Sequence, residues 1–208
     1  MPPTNYNAIA GTELGRVSAL SDGIFAIAMT LLVLEIHAPE AADIHSEGEL
    51  AAALVKLAPT VATWLMSLMT LGIFWLGQQT QLSRLTGMNR NLAWLHFLFL
   101  AVISALPFST RLLAAFFDYR LAFFLYYLNI LLAGLTLYLA WAYAERAGLT
   151  EEKPPGAIAG AVRRRIVRAQ ALYAIGAVAG LVSAPLGVAL IILIQVNYAV
   201  APRWTNWS

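Results

Sequence analysis

The sequence predicts an all-α integral membrane protein with six transmembrane helices, and three observations carry that prediction. Of 208 residues, 60% are hydrophobic and only 12% are charged. The mean hydropathy is +0.71. The apolar residues come in long uninterrupted blocks with the charges between them, the pattern of a chain solvated by a bilayer.

The blocks set the spans. Val17 to Ile36 is interrupted only by Asp22 and Glu35, Leu57 to Gly77 by nothing charged, and Leu92 to Thr110 contains His96 and Pro107. Leu121 to Ala144 has no charge. Each approaches the ~20 residues a helix needs to cross a ~30 Å hydrocarbon core. From Ala169 to Ala201 no charge occurs either. A single helix of that length would run about 50 Å, too long for the core even with tilt. Ser183-Ala184-Pro185-Leu186-Gly187 offers a turn, since proline removes an amide donor and disfavours helix before it. The predicted spans are therefore roughly 16–37, 54–78, 90–113, 119–145, 163–184 and 186–201, in one membrane domain over residues 1–208. The stretch 145–168 between the fourth and fifth spans reads as a solvated connector.

Loop charge sets the orientation. Six spans place Arg16, Arg84, Arg90, Arg146, Lys153, Arg163, Arg164, Arg165, Arg168 and Arg203 on one side. The other side holds Lys56, Arg111 and Arg120 beside acidic Glu40, Asp43, Glu47 and Glu49. The positive-inside rule then puts both termini in the cytoplasm of a multi-pass cell-membrane protein. The polar N-terminal segment lacks the basic and short apolar regions of a cleavable signal, so the first block is expected to persist.

Several chemistries are disfavoured. A net charge of +2 gives nucleic-acid binding little support. With no cysteine, thiolate catalysis and thiolate metal ligation are excluded. His37, His45 and His96 have no metal-ligand spacing, and no hydrolase elbow or phosphate loop occurs, so neither an enzyme, a cofactor nor a bound metal is expected. His96 reads as an interhelical hydrogen-bonding residue.

The first block is the informative one. Asp22 lies in an apolar helix, where an unpaired charge costs roughly 3 kcal/mol or more. It must join a polar network, meet headgroup water or bind an ion. Arg16 is not at i,i+3 or i,i+4 spacing from it, so a neighbouring helix or subunit is the expected link. At 100° per residue Gly23, Ile27, Leu31 and Leu34 form one stripe with Thr30 beside it, and Asp22 falls about 140° from Ile27. Spacing alone leaves that stripe open to lipid, packed core or pore.

Arg16, Ser21, Asp22, Gly23, Phe25, Ala26, Ile27, Ala28, Thr30, Leu31 and Leu32 resemble the first-helix signature of the transmembrane protein 175 family, the lysosomal potassium channels and their bacterial relatives. Leu20 replaces the usual phenylalanine. Leu98-Phe99 and Ser104-Ala105-Leu106-Pro107-Phe108-Ser109-Thr110 resemble the family's third-helix segment. Gln78-Gln79 stands where bacterial relatives commonly carry a histidine pair, and His96 where asparagine is usual. The resemblance implies a homotetrameric cation channel lined by the first helix, permeable to K⁺ and to other monovalent cations, with a hydrophobic constriction and a weak to moderate preference for K⁺ over Na⁺. Ile27, Leu31 and Leu34 would then form stacked aliphatic rings, Thr30 a ring of hydroxyls for selectivity, and Arg16, Ser21 and Asp22 a structural polar network behind the wall. A secondary transporter or proton-conducting protein, with Asp22 or His96 taking up protons, is the alternative.

Overall fold

The computed structural model describes residues 11–151 and 157–200. Eight α-helices occur there: α1 Leu14–Val33, α2 Glu47–Lys56, α3 Ala58–Leu82, α4 Arg90–Ser104, α5 Leu106–Ala115, α6 Arg120–Arg146, α7 Ala157–Val182 and α8 Ala184–Val200. Among the described residues there is no strand, and one isolated bridge joins Leu85 to Thr150. Five stretches are long and apolar enough to cross a membrane: Leu14–Val33, Ala58–Leu82, Arg90–Ala115, Arg120–Arg146 and Gly160–Val182. Ala184–Ala199 is a shorter apolar helix.

Local chemistry explains the boundaries. Ser46 caps α2 by accepting from the Glu49 amide, and Asn89 caps α4 by accepting from the Leu92 amide. Pro59 begins α3, and Pro107 begins α5, splitting the third span after Ser104. α6 ends in a paired turn: Gly148 takes φ 65°, its amide donates to Glu145 O, and the Leu149 amide donates to Ala144 O. Beyond Val33 the first helix tightens into i→i+3 bonds that carry Leu34, Glu35 and Ile36.

Besides the break in the third span, three boundaries differ from the sequence reading. α3 continues through Leu82, so Gln78, Gln79 and Gln81 are helical. α2 and α3 are separate at Leu57, because the proline opening α3 cannot donate into a continuous helix. α7 begins at Ala157, ahead of the expected start at 163, so residues 157–168 of the expected 145–168 connector are helical. Alanine and arginine are good helix formers, and the charged heads can reach water from a helix end. The remainder of that expected connector, residues 152–156, lies outside the described residues.

α6 is the centre of the bundle and packs against α4, α5 and α7, while α1 packs against α3, α4 and α5. α6 buries Phe123, Tyr126, Ile130 and Ala133 and presents Leu125, Leu128, Leu132, Leu135 and Leu139 outward, so it is apolar on both faces. That is how a helix solvated by lipid differs from one solvated by water. α7 and α8 form a hairpin around Ser183, whose hydroxyl accepts from the Leu186 amide. Phe123 from α6 is wedged against Gly180 and Gly187 of that hairpin; a Cβ on either glycine would lie 2.1 or 2.5 Å from its ring.

A buried hydroxyl network ties five helices. Ser67 donates to Tyr126 at 3.1 Å, Thr70 lies 3.1 Å from the same phenol, and Thr110 donates to Ser67 at 2.7 Å. Gln195 donates to Thr70 at 2.7 Å and to Tyr173 at 3.4 Å. With no water in the hydrocarbon region, polar side chains must satisfy one another inside the bundle, and this fixes α8 against α3 and α7. At one end of the bundle the 83–89 and 147–151 segments meet, where Arg84 pairs with Glu151 at 3.3 Å. At the other end, Arg111 of α5 lies 3.5 Å from Glu35.

Candidate functional site

α1 has two dissimilar sides. Ser21, Phe25, Ala28 and Leu32 recur at helical spacing and are all buried against α3, α4 and α5. Phe25 meets Phe99 with ring centroids 6.1 Å apart. The other side is open: Ile27 is 61%, Leu31 44% and Leu34 65% exposed. Gly23 and Thr30 are exposed on the same side, and nothing lies within 4 Å of a Cβ built on Gly23. The structure thus gathers Ile27, Thr30, Leu31 and Leu34 on one uncovered face. Leu34 follows the last helical residue and is carried by the i→i+3 turn.

The Thr30 hydroxyl donates to the Ile27 carbonyl at 2.8 Å. Its single proton is therefore directed along the helix, and the oxygen lone pairs remain available on the open side. A stripe of this kind offers aliphatic surface with one acceptor oxygen and no charged group.

Behind the stripe lies the polar network. The Asp22 carboxylate oxygen accepts from the Trp75 indole at 2.9 Å and from the Gln79 amide at 2.6 Å. Ser21 donates to the Gln78 side-chain carbonyl, and the Gln78 amide lies 3.4 Å from His96 Nδ1. Ser21, Gln78 and His96 are buried, whereas Asp22 is exposed at the edge of the packed side. The network therefore runs from α1 through α3 to α4. Arg16 does not enter it: among the described residues it makes no hydrogen bond or ion pair, and it is exposed.

Sequence reasoning assigned no role to Trp75, Gln78 or Gln79. Their spacing was the available signal, since positions i, i+3 and i+4 of an apolar helix share one side. The two glutamines are neutral at every pH and supply the hydrogen bonds that tie Ser21 and Asp22 to α3. Replacing Asp22 with asparagine keeps the shape but weakens a charge-assisted acceptor. The expected loss is about 1 kcal/mol, seen as a thermal midpoint about 3 °C lower in detergent. An unchanged midpoint would remove Asp22 from the structural network.

His37 Nδ1 lies 3.1 Å from the Glu35 carbonyl, and the His45 amide donates to Glu49 at 2.7 Å, both exposed and distant in sequence from His96. Among the described residues, no three His, Asp or Glu side chains gather as a metal site would require.

An apolar helical bundle with five stretches long enough to cross a bilayer, and polar side chains bonded from helix to helix, defines a polytopic α-helical membrane protein. The family model described as "Endosomal/lysosomal potassium channel TMEM175" matches residues 16–107. A potassium channel of Streptomyces collinus is 32% identical over 191 residues, covering 89% of this chain and 91% of that protein. The endosomal/lysosomal proton channel TMEM175 of Mus musculus is 30% identical over 121 residues, covering 56% of this chain and 24% of that protein. The crystal structure of a lysosomal potassium-selective channel TMEM175 homolog from Chamaesiphon minutus has the same fold, with a TM-score of 0.76. It covers 90% of this chain and 97% of that chain at 24% identity. The chain belongs to the TMEM175 family of membrane-spanning channels. The matched segment contains the first-helix motif and most of the third-helix segment that suggested the family.

Proposed function

We propose that four copies of this chain assemble in the cell membrane, both termini cytoplasmic, into a potassium-permeable cation channel lined by α1. The observation that carries this reading is the uncovered Ile27–Thr30–Leu31–Leu34 face on a helix whose opposite side is fully packed. The full-length similarity to a protein named a potassium channel supports it. In this arrangement Ile27, Leu31 and Leu34 form narrow aliphatic rings, where a cation that has shed water finds no replacement ligand. Such a ring is a barrier and can gate by dewetting. Arg16, Ser21 and Asp22 sit at the cytoplasmic part of the helix; Ser21 and Asp22 hold it to α3.

Thr30 supplies the acceptor between the rings. Four hydroxyl oxygens replace part of a hydration shell, and K⁺ surrenders its water more readily than Na⁺. The resulting preference is modest, because no ladder of backbone carbonyls follows. Thr30→Val keeps the shape and removes the oxygen. It is expected to lower the K⁺/Na⁺ permeability ratio about two- to fivefold, the scale of one modest polar contact. A ratio unchanged from wild type in bilayer recordings would take Thr30 out of the selectivity step.

The decisive measurement is ion flux through purified protein in liposomes under separate K⁺, Na⁺ and H⁺ gradients. Channel-like, non-saturating K⁺ flux supports the proposal. Flux of H⁺ alone would favour the second reading, which the name of the mouse relative motivates.

A further inference from the structure

We propose that the outward face of α7 is a binding site for an anionic phospholipid. Arg164, Arg168, Ala171, Ile175 and Val178 follow one another at i, i+4, i+7, i+11 and i+14, which places them within a single narrow stripe. All five are exposed. The opposite side of the helix, with Tyr173, Ala177 and Gly180, is buried against α6 and α8.

The arginines of this cluster are not equivalent. Arg163 lies 3.4 Å from Glu145, and Arg165 donates to Tyr198 at 2.6 Å. Arg164 and Arg168 make no hydrogen bond or ion pair among the described residues. They sit one turn apart on the exposed face at the basic end of an apolar helix, with the Arg164 guanidinium lying over Gly160. Guanidinium matches phosphate oxygens in a bidentate fashion. From Arg168 to Val178 the helix rises about 15 Å, half of a ~30 Å hydrocarbon core and thus one leaflet. The stripe therefore has the layout of one lipid: charge for the headgroup, then aliphatic surface for an acyl chain.

The placement against lipid rests on the proposed α1-lined assembly. α1 packs against α3, α4 and α5, whereas α7 packs against α6 and α8, on the far part of the bundle from the candidate pore face. Juxtamembrane arginines attract anionic lipid additively, and two of them give on the order of 30-fold preference over zwitterionic lipid.

Native mass spectrometry of the detergent-purified full chain tests this without reference to ion flux, so its failure is separable from failure of the channel reading. Phosphatidylglycerol and phosphatidylcholine with identical acyl chains are titrated in parallel. The expected result is retained phosphatidylglycerol, a preference lost in Arg164→Gln/Arg168→Gln and kept in Arg164→Lys/Arg168→Lys. Arg146→Gln, the same charge change at the end of α6, should leave the preference intact. Equal retention of the two lipids by wild type overturns the proposal, as does loss of preference in Arg146→Gln. Competition by glycerol phosphate at lipid concentrations would show a free-anion site instead. Because the chain contains no cysteine, Val178→Cys provides a clean probe: disulfide formation between copies would show that a second copy covers this face and would overturn the lipid assignment.

Discussion

Ile27→Asn and Leu31→Asn, each made separately, are expected to raise K⁺ flux through the reconstituted protein about tenfold. The barrier is one of ion solvation. An aliphatic ring offers a partly dehydrated cation no oxygen, so the ring dewets and the ion meets a barrier. Four amide groups at the same level hold water and supply carbonyl oxygens. Tenfold corresponds to a barrier lower by about 1.4 kcal/mol, a small part of the cost of an apolar constriction. Asparagine provides this without adding charge, so the change reports wetting and not attraction. The same substitution at Leu135, which is as exposed as Leu31 but lies on α6, should leave flux unaltered. If both α1 variants conduct like wild type, the aliphatic face of α1 does not border the ion path. If the Leu135 variant also rises, the increase reflects a leaky bundle.

Gly180→Ala is expected to be strongly destabilising. A Cβ there would stand 2.1 Å from Phe123 Cε1 and 2.5 Å from Cδ1. The ring has no retreat, because its Cζ side faces Gly187, where a Cβ would lie at 2.5 Å, and the residue is fully buried. The α7–α8 hairpin must then separate from α6. Overpacking of this kind costs about 3 kcal/mol, which lowers the thermal midpoint by about 10 °C for a chain of this size. Small residues let helices approach closely in membranes, where packing replaces hydrophobic driving force. The mechanism has its own check, since Phe123→Leu shortens the ring and should recover much of the loss in the double variant. Losses that merely add would mean the two residues act independently.

The open stripe of α1 could be laid out from sequence spacing, because residues seven and four apart must share a side of any regular helix. Whether that stripe met lipid, core or another subunit could not, since α1 is apolar nearly all round. The family motif broke the tie. Gln78 and Gln79 were visible as polar residues in an apolar block, yet their partners Ser21 and Asp22 lie more than fifty positions away. Nothing local specifies such a pairing.

Legible from the residues alone were the apolar blocks, the turn at Pro185, the charge asymmetry of the loops and the α1 signature. These depend on runs and periods within one segment, and a bilayer imposes them on each segment separately. The folded bundle alone reveals that α6 is central, that Gln195 reaches Thr70 and Tyr173, that Phe123 fits between two glycines, and that Arg16 stands apart from the Asp22 network. In water, the burial of a single apolar face tells which side of a helix turns inward. Lipid accepts apolar residues on every side, so the inward side is chosen by shape and by the few hydrogen bonds that must be closed, and both are properties of the assembled bundle.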